Sequence, residues 1–261
     1  MAQAPSDDKW LIAHLTDLEV QAEKGEYLIV SDFLDEREQS LLSRSFREGR
    51  LSVSLWIYGG QEACERKVAC FYPDYLEENK EELLMEQLKL IRVKALDHRF
   101  LPKELTHRDY LGALMGLGVK REKIGDIRIG EEGAFVIVKE EIASFICEEL
   151  SSVGRTLVDA KITEWKDLPA AERGTFSVIS ISSFRLDQVV SRGFNLGRTE
   201  ASKWIASGLV FRNGESVMQP DKTVLIGDKI TLRRKGKIIL TEDKGISKSG
   251  RHQVLIEKYG K

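Results

Sequence analysis

The sequence predicts an α+β protein of three small domains, and three observations carry that prediction. Strand-like and helix-like segments alternate along the chain. The stretch 169–174, Pro-Ala-Ala-Glu-Arg-Gly, reads as a linker. Charge is also split unevenly: residues 183–261 hold 16 Lys+Arg against 8 Asp+Glu, and residues 1–182 hold 24 against 34. The boundaries follow as 1–76 for an N-terminal α/β domain, 77–168 for a central domain, 169–182 for the linker, and 183–261 for a basic C-terminal module.

The elements are justified in order. Residues 10–24 place Trp10, Leu11, Ala13, His14, Leu15, Leu18 and Ala22 at helical spacing. A short apolar run follows at 27–30. Ser31 or Asp35 is positioned to cap a helix whose periodic residues are Leu41, Leu42 and Phe46. Residues 51–58 and 68–72 read as strands, the first ending at Gly59-Gly60 and the second at Pro73. The central domain is expected to hold a helix over 77–89, a strand over 90–95 and a Thr106-capped helix. A hairpin around Glu131-Glu132, a helix over 140–150 and a strand over 158–162 complete it. In the C-terminal module, a first helix spans 185–193 and a second begins at Thr199, with Ala201, Trp204 and Ile205 as its buried stripe. Strands at 210–212 and 230–233 are separated by the turn signals Asn213-Gly214 and Gly227-Asp228. Late strands are expected at 238–240 and 254–256.

At 261 residues, 42% hydrophobic and 31% charged, the chain has the composition of a soluble globular protein. Cys64, Cys70 and Cys147 give neither a disulfide framework nor a zinc knuckle, which fits a reducing cytoplasm. No apolar run approaches the roughly 20 residues needed to span a bilayer, so no membrane contact is expected. Residues 1–9 are polar and do not read as a signal peptide.

The basic module points to a polyanion. Arg185, Arg192, Arg198 and Lys203 fall on or beside the two helices, away from the apolar set. Thr199 stands at a helix start, where N–H groups and a hydroxyl can receive a phosphate oxygen. Arg212, Arg233, Lys235 and Lys237, with Arg234, can extend this surface along the sheet edge. Such contacts give salt-dependent affinity with little base reading and suit structured RNA. The plainer readings are an Arg185–Asp187 pair, edge protection by Arg234 and Lys235, and Trp204 as core. A second, weaker RNA contact is assigned to His107, Arg108, Lys120, Arg121 and Lys123; the plainer reading pairs Arg108 and Lys123 with Asp109 and with Glu122 or Asp126.

Catalytic motifs are lacking. There is no phosphate loop, serine-hydrolase elbow or H-E-x-x-H. Asp97-His98 and His107-Arg108-Asp109 are the places where acid–base groups gather, and His107 is read as a cap-region or RNA-contacting residue rather than a general base. No catalytic residue, metal site, cofactor or small-molecule substrate is expected.

The residues also carry a resemblance. The segment 105–118, Leu-Thr-His-Arg-Asp-Tyr-Leu-Gly-Ala-Leu-Met-Gly-Leu-Gly, continues through Lys120-Arg121-Glu122-Lys123 and Gly125-Asp126-Ile127. With Asp32-Phe33-Leu34-Asp35, Glu65-Arg66-Lys67, Tyr72-Pro73-Asp74-Tyr75 and Arg185-Leu186-Asp187, it resembles the YlmH family of bacterial RNA-binding proteins along nearly the whole chain. Two positions depart from the family pattern: Gly197 stands where Ser is usual, and Ala63-Cys64 where Gly-Ala is usual. The resemblance implies a central RNA-recognition-like α+β sandwich and a C-terminal module of the S-four type. It implies binding to rRNA of the large ribosomal subunit and to peptidyl-tRNA in ribosome-associated quality control. It also attaches an association with cell division. Arg185-Leu186-Asp187 is similar to the R-L-D of pseudouridine synthases as well, but it lies inside the RNA-binding module, so Asp187 is given no catalytic role.

The expected function is therefore a non-enzymatic RNA-binding factor. Two alternatives stand beside it: an RNA-modifying enzyme targeted by its C-terminal module, and a division-associated protein that binds protein partners through the acidic N-terminal region.

Overall fold

A computed structural model describes residues 5–47, 52–96, 105–131, 133–171 and 173–260. Leu51, Asp97, His98 and Glu132, which figure in the expectations above, lie outside the described residues. The α+β prediction holds. The chain divides into two compact units, Met1–Ala171 and Glu172–Lys261.

The first unit contains α1 (Pro5–Gly25), β1 (Ile29–Val30), α2 (Glu36–Arg47), β2 (Ser54–Tyr58) and β3 (Val68–Tyr72). It continues with α3 (Lys80–Gln87), β4 (Leu88–Ala95), α4 (His107–Gly116), β5 (Ile124–Gly130) and β6 (Gly133–Lys139). It ends with α5 (Ala143–Glu149), β7 (Ser152–Val153) and β8 (Thr156–Thr163). Two antiparallel sheets result, in the orders β1-β3-β2 and β5-β6-β4-β8-β7.

Strand alternation explains how these sheets stack. Ala69 and Phe71 of β3 face Leu15 and Ala22 of α1 and Leu42 of α2. Val68, Cys70 and Tyr72 face the other way, onto Leu88 and Leu90 of β4 and Phe135 and Ile137 of β6. The far side of the second sheet carries Ile91, Val93, Val136 and Val138, which pack on Tyr110 and Leu114 of α4 and Ile146 of α5. The result is four layers: helices, sheet, sheet, helices. β3 is buried at every position because both of its faces are covered. The boundary expected at 76/77 thus falls within a shared core.

Polar ties cross the same seam. Glu65 and Arg66 each donate a backbone N–H to Asp126, at 2.9 Å. The Arg66 guanidinium donates to the carbonyls of Ile124 and Phe33 at 2.9 and 2.7 Å. Burial pushes the Asp126 carboxyl up and the Arg66 guanidinium down.

Several expectations need correction. α2 begins at Glu36, directly after Asp35, so the Asp35 cap holds and Ser31 is not the cap. Ser31 instead joins the sheet, its hydroxyl accepting from the Ala69 N–H at 2.8 Å, while Asp35 and Glu38 bond reciprocally at 2.7 and 2.9 Å as a capping box. The segment 140–150 opens with a single 3-10 turn before α5.

The second unit contains β9 (Thr175–Ile181), α6 (Leu186–Gly193), α7 (Arg198–Ala206), β10 (Val210–Arg212) and β11 (Glu215–Ser216). β12 (Lys229–Leu232), β13 (Gly236–Ile246) and β14 (His252–Tyr259) follow. Its antiparallel sheet has the order β11-β10-β12-β13-β14-β9. Leu186, Val189 and Val190 of α6 and Ala201 and Ile205 of α7 bury against Ile181, Leu240, Val254 and Ile256, with Trp204 partly buried beside them. Asn213 and Gly214 both have positive φ, 49° and 80°, as a tight hairpin turn requires. Two corrections apply here. Residues 175–181, assigned to the linker, form β9 and pair along β14. α7 starts at Arg198, one residue before Thr199, with Gly197 in extended conformation at its N-cap.

Among the described residues, no helix is long and apolar enough to cross a membrane.

Candidate nucleic-acid interface

In the second unit the backbone fixes the site first. β9 ends at Ile181, and the chain turns straight into α6, with Arg185 as its N-cap. Leu186 and Asp187 at the start of α6 donate their N–H groups to the carbonyls of Lys222 and Pro220, both at 2.9 Å. These bonds anchor Asp187, whose side chain is only 4% exposed.

Asp187 then organises two arginines. Arg185 donates to it through Nε and Nη2, at 3.1 Å each. Arg198, the first residue of α7, donates through Nε and Nη2 to Oδ2 at 3.4 Å. Burial pushes the Asp187 carboxyl up, but Arg185 and Arg198 outweigh it and bring it below the usual carboxylate range. The Arg198 side chain stays 65% exposed, so Asp187 orients it without covering it.

Arg198 opens onto a shallow pocket of about 170 Å³. Arg192, on the last turn of α6, and Arg251, in the turn between β13 and β14, supply two more guanidinium groups. Ser180, Ser182, Gln188 and Ser191 complete the lining. Gln188 is locked, accepting from the N–H and hydroxyl of Ser182 at 2.9 and 2.8 Å and donating to the Ser183 hydroxyl at 2.9 Å. The Ser191 hydroxyl donates to the Leu196 carbonyl at 2.7 Å. Three guanidinium groups on a preset polar floor can hold a phosphate through charge-assisted hydrogen bonds.

The other basic residues of this unit divide. Thr199 and Lys203 are exposed on α7. Arg212 is engaged elsewhere, donating to Asp228 at 2.7 Å and to the Thr223 carbonyl at 3.1 Å. Asp228 is itself buried and also receives Asn213 and the Leu225 N–H, so this group braces the 223–228 turn. Arg233 and Lys235 are exposed in the turn before β13, and Lys237 lies with its ammonium 4.5 Å from the Tyr259 ring centroid. That turn stands at the opposite end of β13 from Arg251. The expected continuous surface therefore resolves into a pocket at one end of β13 and a basic turn at the other. Arg251, Ser180, Ser182, Gln188 and Ser191 were not among the sequence-predicted residues. Only the strand pairing that carries β14 beside β9 brings them together.

The second expected contact, in the first unit, is also partly committed to structure. Lys123 bridges Asp32 and Glu141 at 2.7 Å each, not Glu122 or Asp126. Arg121 donates to the Ile124 carbonyl, and burial together with Arg66 pulls it down to about 10. Asp109 is taken by Thr106, which donates to it from both its N–H and its hydroxyl at 2.7 Å, as a helix cap. Burial, then Arg121, lowers the His107 pKa. Arg108 and Lys120 are exposed. Among the described residues, no group of three or more His, Cys, Asp or Glu side chains is placed to hold a metal ion.

Comparison with known proteins adds the following. Residues 87–167 match a family model described as "Putative RNA-binding domain in YlmH", and residues 184–230 match the S4 domain. The chain is 32% identical over 231 residues to Ribosome-associated protein quality control protein P2 of Bacillus subtilis (strain 168), covering 88% of this chain and 86% of that protein. Among solved structures, Cell division protein ylmH from Streptococcus pneumoniae is similar with a TM-score of 0.49 and 18% identity, over 65% of this chain and 99% of that one.

Proposed function

The chain belongs to the YlmH family, and from that premise we propose that it is a non-enzymatic factor binding rRNA of the large ribosomal subunit and peptidyl-tRNA. Two RNA-binding domains and kinship with a ribosome-associated quality control protein support this reading. The observation that carries it is the arrangement of Arg198: seated at the start of α7, aimed by buried Asp187, and open to a pocket with Arg192. A helix N-terminus also favours an anion through its dipole, which adds to the pull of the guanidinium.

Such a site reads phosphates, so binding follows RNA shape rather than base sequence. Thr199 and Lys203 are exposed on α7 and add to the polar and basic surface of this unit, and the 233–237 turn gives a second basic patch in the same unit. Arg108 and Lys120 supply a weaker contact from the first unit. The test is cosedimentation of the full chain with intact ribosomes, separated subunits and free tRNA across a salt series. Retention on large subunits, falling steeply with salt, is the expected result. Equal retention on small subunits would refute the assignment.

A further inference from the structure

We propose that the turn between β13 and β14 completes a seat for a single phosphate group of an RNA strand, with Arg251 as its third guanidinium beside Arg192 and Arg198. The inference rests on the RNA-binding reading above and deepens it. It assigns a role to a residue that lies outside the helix pair and outside the 184–230 segment matching the S4 domain.

The pocket's chemistry selects the ligand. Its lining consists of three arginines, three serines and one glutamine, with no acidic and no apolar side chain. Three cations around one space repel one another, and an entering anion relieves that repulsion. At about 170 Å³ the pocket is smaller than the roughly 300–1,000 Å³ of sites that enclose a whole small molecule. With no aromatic wall it offers no platform for base stacking. A phosphate whose sugar and base remain outside fits both limits.

The turn is built to hold Arg251 in place. Ser247 donates its N–H to the Arg251 carbonyl at 2.8 Å, and its hydroxyl accepts the Arg251 N–H at 3.2 Å. Gly250, at φ 74°, donates to the Ser247 carbonyl at 2.9 Å. Beside it, the Ser180 hydroxyl accepts from Gln253 at 3.0 Å, tying β9 to β14 below the pocket. The third guanidinium is thus mounted on a closed turn rather than a loose loop, which lowers the ordering cost of binding.

The test measures binding of the full chain to deacylated tRNA and to purified large subunits over a salt series. Arg251→Ala is expected to weaken both about fivefold or more and to lower the magnitude of the log K against log salt slope, by at most about 0.7–0.9, the value for a whole phosphate contact. Arg251→Lys should retain the slope. Lys248→Ala changes a cation of the same turn that does not line the pocket, and it should have a much smaller effect. Unchanged affinity in Arg251→Ala, alongside weakened Arg198→Ala, would overturn the seat and leave the RNA-binding reading standing. So would an equal loss in Lys248→Ala, which would reduce the effect to general charge. Absence of salt-dependent RNA binding in the unaltered chain would overturn the reading itself. Inorganic phosphate is the competing source of the same group. If at matched ionic strength it displaced tRNA from the unaltered chain but not from Arg251→Ala, the pocket would belong to free phosphate, and the strand assignment would fall.

Discussion

Arg198 donates through Nε and Nη2 to a single oxygen, Oδ2 of Asp187, at 3.4 Å each. Arg185 reaches the same carboxylate more closely, at 3.1 Å to each oxygen. The buried acid is therefore the hinge pin of the basic surface, and its loss should be felt in binding before it is felt in fold.

Asp187→Asn keeps the shape of the side chain but removes the charge that aims two arginines. RNA affinity should fall several-fold while the fold is retained. The check is tRNA binding by fluorescence anisotropy beside a thermal melt; full affinity with both arginines freed would show that orientation by Asp187 is unimportant.

Arg198→Ala should weaken binding about ten- to a hundredfold, the range for losing a charge-assisted hydrogen bond. Arg198→Glu should weaken it further by repelling the phosphate. Because the side chain is mostly exposed, the melting temperature should change little. A loss of binding that merely tracks a loss of folding would make the residue structural.

Lys123→Met should behave in the opposite way. Its ammonium bridges Asp32 and Glu141, so the variant should lose about 1 kcal/mol of stability while ribosome affinity stays unchanged. A selective loss of affinity would restore Lys123 to the RNA surface.

His107 and Asp187 both contribute to the pH response. The His107 pKa lies below its usual value of about 6.5. The unfolded chain therefore takes up the proton first, and stability falls as pH drops from about 6.5 towards the folded value. Asp187 also titrates low when folded. Its contribution is present above about pH 4 and is lost as pH falls through the folded value. Urea midpoints measured against pH should show the fall in the upper window lessened in His107→Gln and the fall in the lower one lessened in Asp187→Asn.

Gly125→Ala tests whether the four-layer unit melts as one body. An added Cβ would stand 2.7 Å from the Phe33 ring and 3.2 Å from the Ile137 carbonyl. Overpacking there should cost about 1–3 kcal/mol and shift a single transition of the first unit. Two separate transitions, only one of them shifted, would show that its two sheets unfold independently.

Much of this was legible in the sequence wherever the signal is local. The run 68–72 announced a strand, Asn213-Gly214 announced a tight turn, and Ala201 and Ile205 announced a buried helix face. What stayed hidden depends on partners far along the chain. Charge marks Arg212 and Lys123 as cations, but Asp228 and Asp32, which occupy them, lie 16 and 91 positions away. Four successive exposed residues, 175–178, disguised β9 as a linker, because its pairing with β14 spans more than 70 positions. Arg251 escaped notice for the same reason: its neighbours in space are assembled only when that strand docks.

The docking of β9 has one more consequence. From Lys258 to His252, each residue of β14 is paired with a residue of β9. A proteolytic fragment starting at residue 183 would bare that edge, with its unpaired N–H and C=O groups and the apolar Val254 and Ile256 behind them. Such an edge is a template for another chain. The short segment before the helix pair thus covers a strand edge, and cleavage just after it should leave the RNA-binding module prone to aggregate.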